Sequence, residues 1–215
     1  QHVPPIPSFY MATACVTRAQ YALFDPQRER EHDDLPKYAP EPDCPMIYVN
    51  FHDGMCFALW LDDSYSLPSE VQWEGAAWGG LDREQHEDYV IGVLPYTADF
   101  TSADVNFDGN HPLRGEKSDF RQRTLPVRFS EFKPNGFGLW QMSGNVWEYT
   151  RSEWHETLQD AIDHKDDDLA SGSAEPRRCV RGGSWLYNPR NTRCSNRTRN
   201  VNRNYLTGIR LSRTK

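Results

Sequence analysis

No run of apolar residues in this 215-residue chain is long enough to cross a bilayer, and no leader with an apolar centre opens it. A cytoplasmic setting is expected, and an odd cysteine count points the same way. Cysteine is scarce: Cys15, Cys44, Cys56, Cys179 and Cys194, none in a C-x-x-C pair. That spacing argues against zinc and for reduced, mostly buried thiols, and leaves open a Cys44–Cys56 or a Cys179–Cys194 disulfide. Apolar residues reach only 37% and mean hydropathy is -0.80, low for a domain built on large sheets. No segment repeats. Positive charge is in deficit, the net being -7, which argues against general nucleic-acid binding.

What is present offsets the thin apolar content. Aromatics make up 13% and include seven Trp, each able to bury a large area. Fifteen Pro and fourteen Gly suit irregular backbone. One loop-rich domain over 1–215 is expected. The first residue is Gln, which fits a processed chain or the C-terminal part of a longer protein. Charge is uneven, acidic from Glu153 to Asp168 and basic from Arg177 onward.

Taken in order, a Pro-rich lead-in from His2 is followed by a strand over Phe9 to Val16. Thr17 caps a helix over Arg18 to Phe24. Asp25 to Pro45 is a charged surface loop. Pro45 to Val49 reads as a short strand. Asp53 caps a helix over Gly54 to Leu61, with Met55, Phe57, Ala58, Trp60 and Leu61 largely buried. Ser69 caps a second helix with acidic residues in its first turn, and Gly79-Gly80 ends it. Leu81 to Arg123 is low in apolar residues. Ordered chain resumes at Pro126 to Phe129, a short acidic helix is expected over Trp154 to Lys165, and a linker over Asp166 to Arg178.

Five motifs then stand in a known order. Phe9-Tyr10-Met11 with Val16-Thr17-Arg18-Ala19-Gln20-Tyr21 resembles the opening of the formylglycine-generating enzyme family. Leu67-Pro68-Ser69-Glu70-Val71-Gln72-Trp73-Glu74 resembles its "R-L-P-T-E-A-E-W-E". Asn135 to Tyr149, N-G-F-G-L-W-Q-M-S-G-N-V-W-E-Y, is similar to "N-x-F-G-L-Y-D-M-x-G-N-V-W-E-W". Val180 to Trp185 resembles "V-x-R-G-G-S-W", and Gly208-Ile209-Arg210 resembles "G-F-R". The resemblance spans nearly the whole chain. It implies an α+β architecture, the C-type lectin fold of the formylglycine-generating enzyme (sulfatase-modifying factor) type: loop-rich, with two main helices and small twisted sheets.

It also implies calcium, held by hard oxygens. One set would be Asn106, the Phe107 carbonyl, Asp119 and the Arg121 carbonyl. A second would be the Gly144 and Val146 carbonyls with Glu148, where Gln141 replaces the family's Asn. The family's enzymes hold copper on two Cys just after the G-G-S motif, soft thiolates suiting a monovalent metal. Those positions are Tyr187 and Thr192, and Cys194 is offset. The resemblance therefore implies a chain without that activity. Related sulfoxide synthases use a His-x3-His-x-Glu motif, and the seven His here show no such spacing.

Gly182 to Arg210 also resembles the variable region of diversity-generating retroelement proteins of this fold class, whose template is Asn-rich. There, Asn codons change at their adenines during copying. Changing the first two bases of AAC or AAT yields any codon ending in C or T, and none of these encodes Lys, Glu, Gln, Met or Trp. These five types make up 37 of the 215 residues, yet none occurs from Leu186 to Thr207. Leu186, Tyr187, Thr192, Cys194, Thr198, Val201, Tyr205, Leu206 and Thr207 are all reachable from Asn codons. Asn188, Asn191, Asn200, Asn202 and Asn204 read as unchanged template positions. Together these fourteen form the expected variable ligand-binding set of a receptor or sensor domain, and a protein is the expected ligand; the alternative is a non-catalytic or divergent relative of the family's enzymes with a fixed partner. Trp185, Pro189, Arg193, Asn196, Arg197, Arg199, Arg203 and Arg210 would be fixed scaffold, with Arg197 and Arg210 anchored by buried bonds.

Overall fold

Three helices begin at reciprocal caps. The computed structural model describes residues 6–80, 100–112, 115–163 and 177–215. After strand β1 (Phe9–Met11), helix α1 (Arg18–Phe24) starts at Thr17. The Thr17 hydroxyl accepts from the Gln20 N–H while the Gln20 side chain accepts from the Thr17 N–H. A short 3₁₀ turn (Arg28–Glu31) and the one-turn helix α2 (Leu35–Tyr38) follow. Helix α3 (Phe51–Leu61) is capped by Asn50, and Asp53, the expected cap, is the third helical residue that closes the box. Strand β2 (Tyr65–Ser66) precedes α4 (Glu70–Ala77), boxed by Ser69 and Gln72. Then come β3 (Trp147–Glu153), α5 (Leu158–Asp163), β4 (Arg178–Arg181), a 3₁₀ turn (Pro189–Thr192), β5 (Arg197–Asn200), β6 (Thr207–Ile209) and β7 (Ser212–Thr214).

Two small sheets result. One runs β1-β7-β2, and β1 and β2 both pair antiparallel with the last strand. The other runs β5-β4-β3-β6. In it β3 pairs antiparallel with β4, Tyr149 opposite Val180, and parallel with β6, Tyr149 opposite Ile209. The main core lies between this sheet and helices α1 and α3. Tyr21, Phe24 and Phe57 form an aromatic knot there, with centroids 5.4–5.8 Å apart. A second cluster gathers Trp73, Ala77, Trp78, Leu139, Met142 and Cys194 under α4.

Several expectations are corrected. The strand expected over Pro45–Val49 is a single bridge, Thr17 to Pro45. Tyr48 there takes φ 58°, the left-handed region, which breaks a ladder. The strand from Phe9 stops at Met11. Trp60 and Leu61 are not buried: they are 48% and 44% exposed, and Met55 is half-buried. The expected acidic helix starts at Leu158 rather than Trp154 and buries Leu158 and Ala161, and its expected end beyond Asp163 lies outside the described residues. All five thiols are free: Cys15, Cys44, Cys179 and Cys194 are buried and Cys56 is exposed, so neither open disulfide forms. The lead-in before Ile6, residues 81–99 of the loop and most of the expected linker lie outside the described residues.

Candidate binding face

The stretch from Cys179 to Leu211 leaves the four-stranded sheet at β4, loops outward and returns through β5 and β6. Its exit depends on Gly182 and Gly183, at φ 95° and 77°. A Cβ on Gly183 would lie 2.7 Å from the Asn191 carbonyl oxygen, so any other residue would meet both strain and a clash.

Four arginines fasten the stretch to carboxylates on three elements, β3, α3 and α4. Arg210, fully buried, donates to both oxygens of Glu148 on β3, at 2.9 and 2.7 Å, and to the Ala12 and Trp140 carbonyls. Arg197 grips Glu70 at the start of α4 through two bonds of 2.6 and 2.8 Å. Arg203 grips Asp53 on α3 through two of 2.6 Å. Arg181, also fully buried, donates to Glu74 and to the carbonyls of Cys194, Ser195 and Asn196. Paired planar forks of this kind carry geometry as well as energy. Burial pushes the Glu70 carboxyl up, but the Arg197 hydrogen bonds and the charges of Arg181 and Arg197 outweigh it and hold it below the usual range. Asp53 is likewise held low, burial being outweighed by Arg203, the Asn50 amide and Arg28. The expectation of buried bonds to Arg197 and Arg210 is met. The sequence did not single out as partners Glu70, Glu74 and Asp53, the acids that meet Arg197, Arg181 and Arg203, although Glu70 and Glu74 stand one turn apart on α4 and share a face.

The expected variable set divides by exposure. Leu186, Tyr187, Asn188 and Asn202 are exposed. Asn191, Thr198, Asn200, Val201, Asn204, Tyr205 and Leu206 are half-buried. Thr192, Cys194 and Thr207 are buried and cannot touch a ligand. Thr192 donates to the Pro189 carbonyl, Cys194 packs under α4 with its thiol on the Ala77 carbonyl, and Thr207 donates toward the Val49 carbonyl. Several Asn side chains shape the loops: Asn188 caps the 3₁₀ turn, Asn200 accepts from the Val201 and Asn202 amides, and Asn204 from Leu206. Beside them lies an aromatic stack to which other parts of the chain contribute. Tyr205 stacks on Tyr38 of α2 at 4.5 Å, and buried Trp185 lies between Tyr38 and Phe120, 5.6 and 6.0 Å away. Tyr187 meets Trp147 edge-on at 5.7 Å. A cavity of about 610 Å³ between Ala12–Thr17 and helices α1 and α3 shares no residue with 182–210.

The profile of the sulfatase-modifying factor enzyme 1-like domain matches residues 1–215. This chain belongs to that family. The formylglycine-generating enzyme of Thermomonospora curvata is 31% identical over 153 residues, which is 67% of this chain and 46% of that protein. The inactive C-alpha-formylglycine-generating enzyme 2 of Bos taurus is 29% identical over 144 residues, 66% of this chain and 38% of that protein. The chain thus spans less than half the length of these relatives. Among solved structures, Treponema denticola variable protein 1 superposes with a TM-score of 0.69 at 19% identity, covering 96% of this chain and 84% of that one. PvdO from Pseudomonas aeruginosa superposes at 0.65 and 24% identity, covering 96% and 80%. The fold is the α+β C-type lectin fold of the formylglycine-generating enzyme type.

Family membership focuses the metal question on two places. At the first, Asn106 is buried, its amide donates to the Arg123 carbonyl and to Asn145, and its Oδ1 has no hydrogen-bond partner. A bare buried acceptor suits a hard cation. Phe107 beside it is buried, Asp119 is exposed, and the Arg121 guanidinium is turned to the Ser102 carbonyl, 2.6 Å away. The second set does not fit. Both Glu148 oxygens accept from Arg210, and one also accepts from the Trp73 indole at 2.6 Å. The Gly144 carbonyl accepts from the Val146 amide, and Gln141 is committed to Asn145 and the Pro126 carbonyl. Glu148 is thus an anchor for Arg210. Next to it, burial and then the Glu148 charge push the Cys15 thiol well above its usual value, so it stays protonated and donates to that carboxylate at 3.1 Å.

Of the two positions expected to stand where the family's enzymes have their Cys pair, Tyr187 is on the surface and Thr192, the last residue of the 3₁₀ turn, is buried.

Proposed function

We propose that this domain is a ligand-binding module of the diversity-generating retroelement type, whose face around Leu186 to Leu206 is varied to recognise a protein target, and that it carries no oxidase activity. The observation that carries the reading is the division of labour within one stretch. Arg181, Arg197, Arg203 and Arg210 are tied to Glu74, Glu70, Asp53 and Glu148. Meanwhile Leu186, Tyr187, Asn188 and Asn202 stand exposed. A surface meant to vary needs a backbone held by residues that do not. The absence of Lys, Glu, Gln, Met and Trp from Leu186 to Thr207 agrees. So does the fold shared with Treponema denticola variable protein 1. Exposed Tyr and Leu in a polar rim are what protein recognition uses. The buried Thr192, Cys194 and Thr207 narrow the range tolerated at those three positions. Calcium would be held by Asn106, the Phe107 carbonyl, Asp119 and the Arg121 carbonyl.

Changing Leu186 and Tyr187 together to Ser is expected to move Tm by less than about 3 °C, in line with surface substitutions of about ±0.5 kcal/mol each. The same change is expected to abolish capture of a target selected against the native face. Thermal denaturation and a binding titration read the two halves. Unfolding by the double variant would sink the reading. A nearby genomic copy of the stretch that differs only at adenines supplies the genetic test.

A further inference from the structure

The face carries a feature that narrows the chemistry of its target. Residues 182–210 contain six arginines and no acidic residue. Arg197, Arg203 and Arg210 are neutralised by Glu70, Asp53 and Glu148, Arg199 lies 3.6 Å from Glu156, and Arg193 donates to the Arg190 carbonyl at 2.9 Å. Arg190 differs. It is exposed, and among the described residues its guanidinium has no carboxylate partner. It lines a cleft of about 260 Å³ with Asn188 and Pro189 on one wall and His111 and Pro112 on the other.

The walls are held before anything binds. The Asp108 amide donates to the Tyr187 carbonyl at 3.0 Å, which ties the two loops together. Asn188 accepts from the Arg190 amide at 3.0 Å, and two prolines stiffen the rims. Asp108 is the one acid placed beside these walls by the bonds above. One of its oxygens accepts from Asn110 and the other lies 3.6 Å from His111 Nε2. Asp108 is not among the residues that line the cleft, and among the described residues Arg190 is the one permanently charged side chain that does. Exposed Tyr187 and Leu186 precede this cleft directly in the chain.

We propose that this cleft takes a carboxylate side chain of the target, so that the protein recognised by this face presents an Asp or Glu beside the apolar residues that cover Leu186 and Tyr187. That the carboxylate belongs to a protein rests on the reading of the preceding subsection; the cleft's preference for a carboxylate does not. A planar guanidinium binds a carboxylate through two parallel hydrogen bonds, and one unmatched positive charge balances one negative charge. A dianionic phosphate would leave charge unmatched. Arg and Tyr side by side are also the residue types that dominate binding energy in protein interfaces.

The test is a titration of the isotope-labelled domain with sodium acetate and with a doubly capped aspartate, followed by NMR at the Arg190 side-chain N–H and the His111 ring. Saturable shifts are expected with both, and none with sodium chloride at equal ionic strength. Arg190→Gln is expected to weaken acetate binding at least tenfold while Tm is unchanged, and Tyr187→Ser is expected to leave it intact. Linear shifts equal to those of chloride, unchanged binding in R190Q, or inorganic phosphate binding more tightly than acetate would each overturn the proposal. A failure there leaves the diversified face standing with a target lacking an acid at this point. Saturable acetate binding in a face that proves invariant would instead keep the cleft and remove the diversified face.

Discussion

Arg210→Ala is expected to destabilise the domain by about 3–5 kcal/mol, since it strands a buried carboxylate. For a chain of this size that is roughly 6–20 °C in Tm. Glu148 is 1% exposed and its remaining donors would be the Trp73 indole and the Cys15 thiol, neither of them charged. The Ala12 and Trp140 carbonyls would lose their donor as well. Arg210→Lys is expected to recover only part of the loss, because one ammonium cannot reproduce the fork on Glu148 and reach both carbonyls. Replacing both partners, Arg210→Met with Glu148→Leu, is expected to be less harmful than Arg210→Ala alone, since no charge is then left buried. Scanning calorimetry on the four proteins gives the comparison. A Tm loss below about 3 °C for R210A would show that Glu148 is solvated by some other route.

Glu70→Ala is expected to cost a similar amount, about 3–5 kcal/mol, for the converse reason. It removes the carboxylate that faces two cations: Arg197 at 2.6 and 2.8 Å and Arg181 at 3.5 Å. Arg181 keeps Glu74, but Arg197 would keep no carboxylate, holding only the Glu156 carbonyl and the face of Trp154. The damage should therefore be greatest at the start of β5. Hydrogen exchange at residues 195–199 is expected to rise more than in α1. Uniform exchange across the two would contradict this role for Glu70. Acid should act on the same tie. Glu70 and Asp53 are held below their ordinary range in the folded chain. Their contribution is complete above the unfolded carboxylate value, about 4, and is lost as pH falls through the lower folded values. Stability is thus expected to fall steeply below about pH 4, and Glu70→Gln is expected to flatten that fall.

Much of this was legible in the chain because the signals were local or carried by motif. Thr17 and Ser69 stand where a cap must stand, and both cap. Arg197 and Arg210 sit in a polar stretch that cannot be buried without matched acids, and they are matched. What failed depended on contacts distant in sequence. Tyr48 lies in an apolar run with strand character, yet its amide donates to the Asn204 carbonyl and its ring stacks on His32 at 4.0 Å, both in a left-handed turn. Asn50 and Asp53 share one capping box, and reading Asp53 as the cap displaced the helix start by three residues. Codon reachability says which residues can vary but nothing about where they point. Cys194 and Thr207 therefore joined a surface set while lying in the interior. Glu148 looked like a metal ligand by motif, and only the return of the chain at Arg210 shows the cation it serves.

The sheet formed by β1, β7 and β2 has a bearing on how the domain is made. Its middle strand follows the other two in the chain, and Phe9 pairs with Thr214, 205 residues away. The ring closed by that pairing is among the longest the chain can form, and closure of long rings slows folding more than it costs stability. Residues 9–11 and 65–66 therefore leave the ribosome long before their common partner exists. Until residue 210 emerges, Arg210 cannot bring Ala12, Trp140 and Glu148 together. A ribosome stalled shortly before that point would hold a chain whose variable loops are already complete in sequence but not yet held in place.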